Sequence, residues 1–149
     1  MRDPIVFEGV SFQHISKAFE PRRPVPWLVK NILRRKMIAF LAGPGGCGKT
    51  SAVYTLALAV ARGTKWLDYE TEQTGVLIID QEIGDEFCAE RLEQILRGAL
   101  VTETEAHDLP LYYTSMSGFE FFSDDAPLSI NRLRAAIQGL GVGLVIFDA

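Results

Sequence analysis

Hydrophobic and polar positions alternate along the chain in blocks of two lengths. Short, nearly continuous apolar runs of strand length recur at Met37-Ile38-Ala39-Phe40-Leu41, at Val76-Leu77-Ile78-Ile79 before Asp80, at 109–114 around Leu111-Tyr112-Tyr113, and at Leu144-Val145-Ile146-Phe147 before Asp148. The stretches between them have helix length and helix period. In 51–62 the apolar residues Val53, Leu56, Ala57, Leu58, Val60 and Ala61 run nearly all round, so that helix belongs under or between other elements, and Gly63 closes it. In 85–98 Phe87, Leu92, Ile95 and Leu96 form a stripe that ends at Gly98, and in 127–139 Leu128, Ile130, Leu133, Ala136 and Ile137 form another. Strands that alternate with helices predict an α/β fold whose mostly parallel sheet is joined by right-handed crossovers. The β-branched run at 76–79 lacks polar alternation, as expected of a strand buried on both faces.

Residues 1–36 read as a lead-in to a core that starts at 37. Ile5-Val6-Phe7 and Val10-Ser11-Phe12 suggest short strand pieces, and Pro21, Pro24 and Pro26 an extended connection. The segment from Trp27 to Leu33 is expected to form a short helix ending in Arg34-Arg35-Lys36. That basic cluster has two readings, contact with nucleic acid or a neighbouring subunit, or a solvated edge, and charge runs favour the second. Trp66 and Tyr69, in the polar connection 64–74, either stack on a base or pack at the edge of the core. Phe119, Phe121 and Phe122 lie in a loop that covers a ligand edge or caps the sheet.

Candidate chemistry enters between the first strand signal and the first helix signal. Gly43-Pro44-Gly45-Gly46-Cys47-Gly48-Lys49-Thr50 meets every position of G-x-x-x-x-G-K-[ST] in that context. The glycines permit the backbone to curl so that amide N–H groups close around phosphate oxygens. The following helix opens, from Lys49 through Ser51, with unpaired N–H groups and a partial positive charge that also favour an anion. Lys49 brings a full charge to the β/γ-phosphates, and the Thr50 hydroxyl suits the Mg²⁺ that bridges them. The predicted ligand is therefore a nucleoside triphosphate with Mg²⁺. No Asn/Thr-Lys-x-Asp sequence that reads guanine is present, which tilts the nucleotide towards ATP.

Composition narrows the class. The chain of 149 residues has room for one domain, and 48% hydrophobic with 23% charged residues is the balance of a globular protein. No apolar run reaches membrane-spanning length and the N-terminus lacks a signal pattern, so neither membrane insertion nor secretion is expected and the cytoplasm is the default. A net charge of −4 argues against a globally basic nucleic-acid surface. Cys47 and Cys88 lack metal-ligand spacing and read as thiols in a reducing compartment.

Two acidic strand ends complete the candidate site. Four apolar residues before Asp148 make an hhhhD pattern whose aspartate would hold the Mg²⁺ shell together with Thr50. Ala149 follows, so the Asp-Glu pair of many ATPases is missing. Glu82, after the buried strand 75–80, is the candidate to orient or deprotonate the attacking water. Asp80 competes, since both side chains would point the same way along a regular strand. The plainer alternative is that Glu82 only opens the helix at Asp85.

On these residues the chain resembles the RecA-like ATPases, and most closely the RepA-like AAA domain family of plasmid and phage replication proteins. The resemblance covers about residues 24–149 and rests on Trp27-Leu28-Val29, 41–50, 76–82 with Arg91-Leu92, and 144–148. It implies a RecA-like three-layer α/β/α fold, ATP and Mg²⁺ as ligands, single-stranded DNA as partner, a hexameric homo-oligomer, and Glu82 as the water-activating glutamate. Leu33-Arg34-Arg35-Lys36 departs from the glycine-containing turn usual there. The family's polar sensor strand, DNA-binding loops and arginine finger have no counterpart, so the chain is expected to be the N-terminal part of a longer ATPase, truncated after the 143–148 strand. Two other classes stay open: a P-loop small-molecule kinase, and a nucleotide-binding regulatory or assembly module without turnover.

Overall fold

The computed structural model describes residues 4–115, 124 and 126–149, so Phe119, Phe121 and Phe122 lie outside the described residues. The centre of the fold is strand β5 (Gly75–Asp80), buried at all six positions. It pairs in parallel with β6 (Leu111–Ser115) on one side and β7 (Val142–Asp148) on the other, giving the order β6-β5-β7. The absence of polar alternation at 76–79 thus has its cause, a middle strand that meets no water on either face.

Three helices serve this sheet. α1 (Lys49–Arg62) packs on all three strands and on α2 (Asp85–Gly98), while α4 (Ala126–Gly139) packs on β7. The crossover from β5 to β6 runs one way across the sheet and that from β6 to β7 runs back, so right-handed connections put α2 and α4 on opposite faces. The α1–α2 face holds Val76 and Ile78 of β5 against Tyr54, Ala57, Val60 and Ala61 of α1 and Cys88 and Leu92 of α2. The all-round apolar character of 51–62 is explained by this position: Tyr54 and 57–61 are all buried. α1 ends at Gly63, φ 67°, where the Thr64 N–H reaches the Ala59 carbonyl at 2.9 Å.

Gly75 starts β5 against the turn that starts β7. A Cβ there would stand 2.7 Å from the Gly141 carbonyl oxygen and 3.1 Å from its carbon. Backbone on both sides leaves little room to yield. Gly75→Ala is expected to cost about 1–3 kcal/mol through overpacking, read as a lower urea midpoint at unchanged slope; an unchanged midpoint would show that the junction relaxes freely.

The lead-in divides into two hairpins. β1 (Ile5–Phe7) and β2 (Val10–Phe12) pair around Glu8 and Gly9, both at positive φ, and are exposed throughout. The segment expected to be a helix is instead a hairpin of β3 (Trp27–Val29) and β4 (Leu33–Arg34), turning at Asn31 with φ 64°. Non-local bonds override the local pattern: Lys30 N–H to Glu70 O and Glu72 N–H to Leu28 O, both 2.9 Å, add the 70–72 segment alongside β3. The cluster after it reads as an edge. Arg34 lies 4.2 Å over the Trp27 ring and Arg35 pairs with Glu72 at 2.8 Å. Trp66 packs against the core and donates to Thr55 Oγ1 at 3.2 Å.

Met37–Leu41 departs most from expectation. It lies in no strand, and Ile38 and Phe40 are 82% and 94% exposed. An apolar run becomes a strand only where a sheet edge accepts its backbone, and among the described strands β7 pairs with β5 alone. A further short helix, α3 (Glu103–Asp108), had an unread signal: Thr102 and Glu105 have capping-box spacing, and Thr102 Oγ1 accepts the Glu105 N–H at 3.2 Å.

Candidate functional site

The phosphate-loop sequence leads directly into α1. Gly46 and Gly48 take positive φ, 74° and 87°, and Gly48 is the N-cap without a side-chain hydrogen bond. Residues 43–48 are exposed, and a Cβ on Gly45, Gly46 or Gly48 would meet no atom within 4 Å. The first amides of α1 therefore sit at an open, glycine-lined curl, the arrangement that suits an anion. Lys49 Nζ donates to the carbonyls of Gly43 and Pro44, each at 3.0 Å. Cys47 is exposed, with its Sγ 3.1 Å from where a Gly43 Cβ would stand, while at Gly48 the positive φ itself favours glycine. Pro44 and Ser51 are exposed and Thr50 is half-buried.

Parallel pairing brings three polar side chains level at the carboxyl ends of the strands. Asp80 is opposite Ser115 on one side and Asp148 on the other. Asp148 Oδ2 and Ser115 Oγ are buried without a hydrogen-bond partner. A carboxylate oxygen out of water with no donor is costly unless a cation or its water meets it, so this orphan fits a divalent ion. Thr50 and Tyr54 are four residues apart and share one face of α1. Since Tyr54 bonds Asp80, that face is turned to the strand ends.

Asp80 and Glu82 do not point the same way. β5 stops at Asp80, which is fully buried, while Glu82 is exposed in the loop beyond it. Asp80 Oδ1 accepts the N–H of Glu82 at 3.0 Å and of Ile83 at 2.9 Å, and Oδ2 accepts the Tyr54 hydroxyl at 3.0 Å. Both oxygens are thus engaged in structural hydrogen bonds. Gln81 N–H donates to the Asp148 carbonyl at 2.9 Å, so the loop is fastened to β7 as well. Glu82 lies two residues before the N-cap Gly84, outside the first turn of α2, which holds Asp85 and Glu86.

Tyr54 also lies 3.4 Å from Cys88 Sγ. Burial pushes the Tyr54 phenol up, reinforced by Cys88 and Asp80, and burial likewise pushes the Cys88 thiol up. Both groups keep protons in the fold that the unfolded chain releases near pH values of about 8.5 for Cys and about 10 for Tyr. Their stabilisation is whole below those values and is lost as pH rises. The denaturation midpoint is expected to fall above about pH 9, less steeply in Tyr54→Phe; an equal slope in the variant would contradict this origin.

Two open depressions lie away from the phosphate loop, one of about 280 Å³ beside Lys30, Lys65 and Tyr69 and one of about 470 Å³ along α2 beside Ile83, Phe87 and Arg91. Neither has an orphaned polar group, so the strand ends remain the chemically distinctive place. Among the described residues no helix is long and apolar enough to cross a membrane. In comparison with known proteins, a family model described as an AAA domain matches residues 2–149. No curated protein matches the chain.

Proposed function

Since the chain belongs to the AAA domain family, a P-loop ATPase-type family, we propose that it binds ATP at 43–51 and supplies the ATPase core of a RepA-like replicative DNA helicase. The observation that carries this reading is an open, glycine-lined curl at the N-terminus of α1 in a chain whose β7 ends in Asp148 with Oδ2 buried and unpartnered. In it, the amides of Gly45 to Ser51 hold the phosphates and Lys49 leaves the Gly43 and Pro44 carbonyls for the β/γ-phosphates. Thr50 and Asp148 would hold Mg²⁺, which supplies charge neutralisation on the same phosphates when bound. Glu82, exposed beside the end of β7, accepts a proton from the attacking water. Catalysis is then positioning plus electrostatics, the general pattern of phosphoryl transfer.

Coupling to single-stranded DNA and assembly into a hexamer rest on the resemblance carried by residues 24–149. The test is ATP turnover by the full-length protein with and without single-stranded DNA. Stimulation by DNA supports the motor reading. Turnover indifferent to DNA favours a regulatory or transferase-like ATPase, and binding without turnover leaves an assembly module.

A further inference from the structure

Tyr54 occupies a position that phosphate binding does not require. It is 1% exposed, yet its hydroxyl reaches into the junction of three elements. From α1 it donates to Asp80 Oδ2 at the end of β5, and it lies 3.4 Å from Cys88 Sγ on α2. Those two partners bracket the loop 81–84: Asp80 is the last residue before it, and Cys88, whose N–H bonds the Gly84 carbonyl at 3.0 Å, is in the first turn after it. The other oxygen of Asp80 holds the amides of Glu82 and Ile83. A buried phenol would satisfy its polar end with any one acceptor. This one instead ties the helix that begins at Lys49 to the carboxylate whose second oxygen fixes the backbone of Glu82.

We infer that Tyr54 and Asp80 are positioning residues for ATP hydrolysis, a buried link that sets the Glu82 carboxylate relative to the phosphate-binding end of α1. The inference rests on the proposed role of Glu82. The physical need is plain. Glu82 is exposed, so its aim depends on where its backbone is held. The backbone in turn is held by Asp80 Oδ1, and Asp80 is kept in that rotamer by Tyr54. Displacement of a reacting group by about 1 Å costs about a hundredfold in rate. Loosening this link should therefore slow turnover without weakening the grip on the nucleotide, which depends on 43–51.

The experiment is a double-mutant cycle on the full-length protein, reading single-turnover ATP hydrolysis, nucleotide affinity and the denaturation midpoint for Tyr54→Phe, Glu82→Gln and the pair. Tyr54→Phe is expected to keep its affinity for ATP, to lose about ten- to hundredfold in kcat, and to cause no further loss in the Glu82→Gln background. Asp80→Asn, which keeps an oxygen for the two amides, is expected to retain turnover where Asp80→Ala loses it. The conservative pair also serves if Tyr54→Phe fails to fold. Wild-type kcat in Tyr54→Phe, equal loss in Asp80→Asn and Asp80→Ala, or a loss that multiplies with that of Glu82→Gln would overturn the inference. Wild-type turnover in Glu82→Gln would instead remove the proposed base itself, a failure that the single variant reveals before the cycle is drawn.

Discussion

Lys49→Ala is expected to weaken ATP binding by about tenfold to more than a hundredfold, from the 1.5–3 kcal/mol typical of a hydrogen bond to a charged group. The side chain contributes little to the fold, since its two bonds go to carbonyls of exposed loop residues, Gly43 and Pro44, at 3.0 Å each. With the nucleotide bound, the ammonium would exchange two neutral carbonyls for phosphate oxygens, a much stronger electrostatic partner. The variant should thus keep its denaturation midpoint while losing affinity, measured by equilibrium titration with a fluorescent ATP analogue. Undiminished affinity would mean that the phosphates bind elsewhere.

Glu82→Gln is expected to do the opposite. The amide has nearly the shape of the carboxylate but takes no proton from water, so ATP binding persists while turnover falls by about 10²–10⁴-fold, the usual contribution of a positioned general base. Two features favour Glu82 over its neighbours for this role. Asp80 has both oxygens committed, one to the amides of Glu82 and Ile83 and one to Tyr54. Asp85 and Glu86 already meet the positive end of α2, so Glu82 is not needed there. Retained turnover in Glu82→Gln, measured by phosphate release at saturating ATP, would sink the assignment.

The glycine-rich turn into α1, the central strand and the acidic strand ends were legible because their signals are local. A glycine-rich turn before a helix, a β-branched run and an aspartate at a run's end each carry their own physics in a few residues. What escaped is set by distant partners. Trp27 to Leu33 has the apolar content of a short helix, but residues 70–72, some forty positions away, offer β3 a backbone ladder and the hairpin forms instead. Met37–Leu41 has the composition of a strand and no paired edge. The divergence of Asp80 and Glu82 was hidden for a related reason. Alternation holds only while the strand continues, and Asp80 ends it by accepting the amides of Glu82 and Ile83. The Tyr54 link was unreadable, since an i+4 spacing from Thr50 gives a shared face but says nothing of which strand end that face meets.

The most direct measurement is a structure of the full-length protein with Mg²⁺ and a non-hydrolysable ATP analogue. The predicted result has the phosphates on the amides of 45–51, Lys49 Nζ on the β/γ-phosphates and off the Gly43 and Pro44 carbonyls, Mg²⁺ between Thr50 and Asp148, and Glu82 one water from the γ-phosphate. Phosphates bound away from this loop, with Lys49 still on its two carbonyls and the Asp148 carboxylate unengaged, would contradict it.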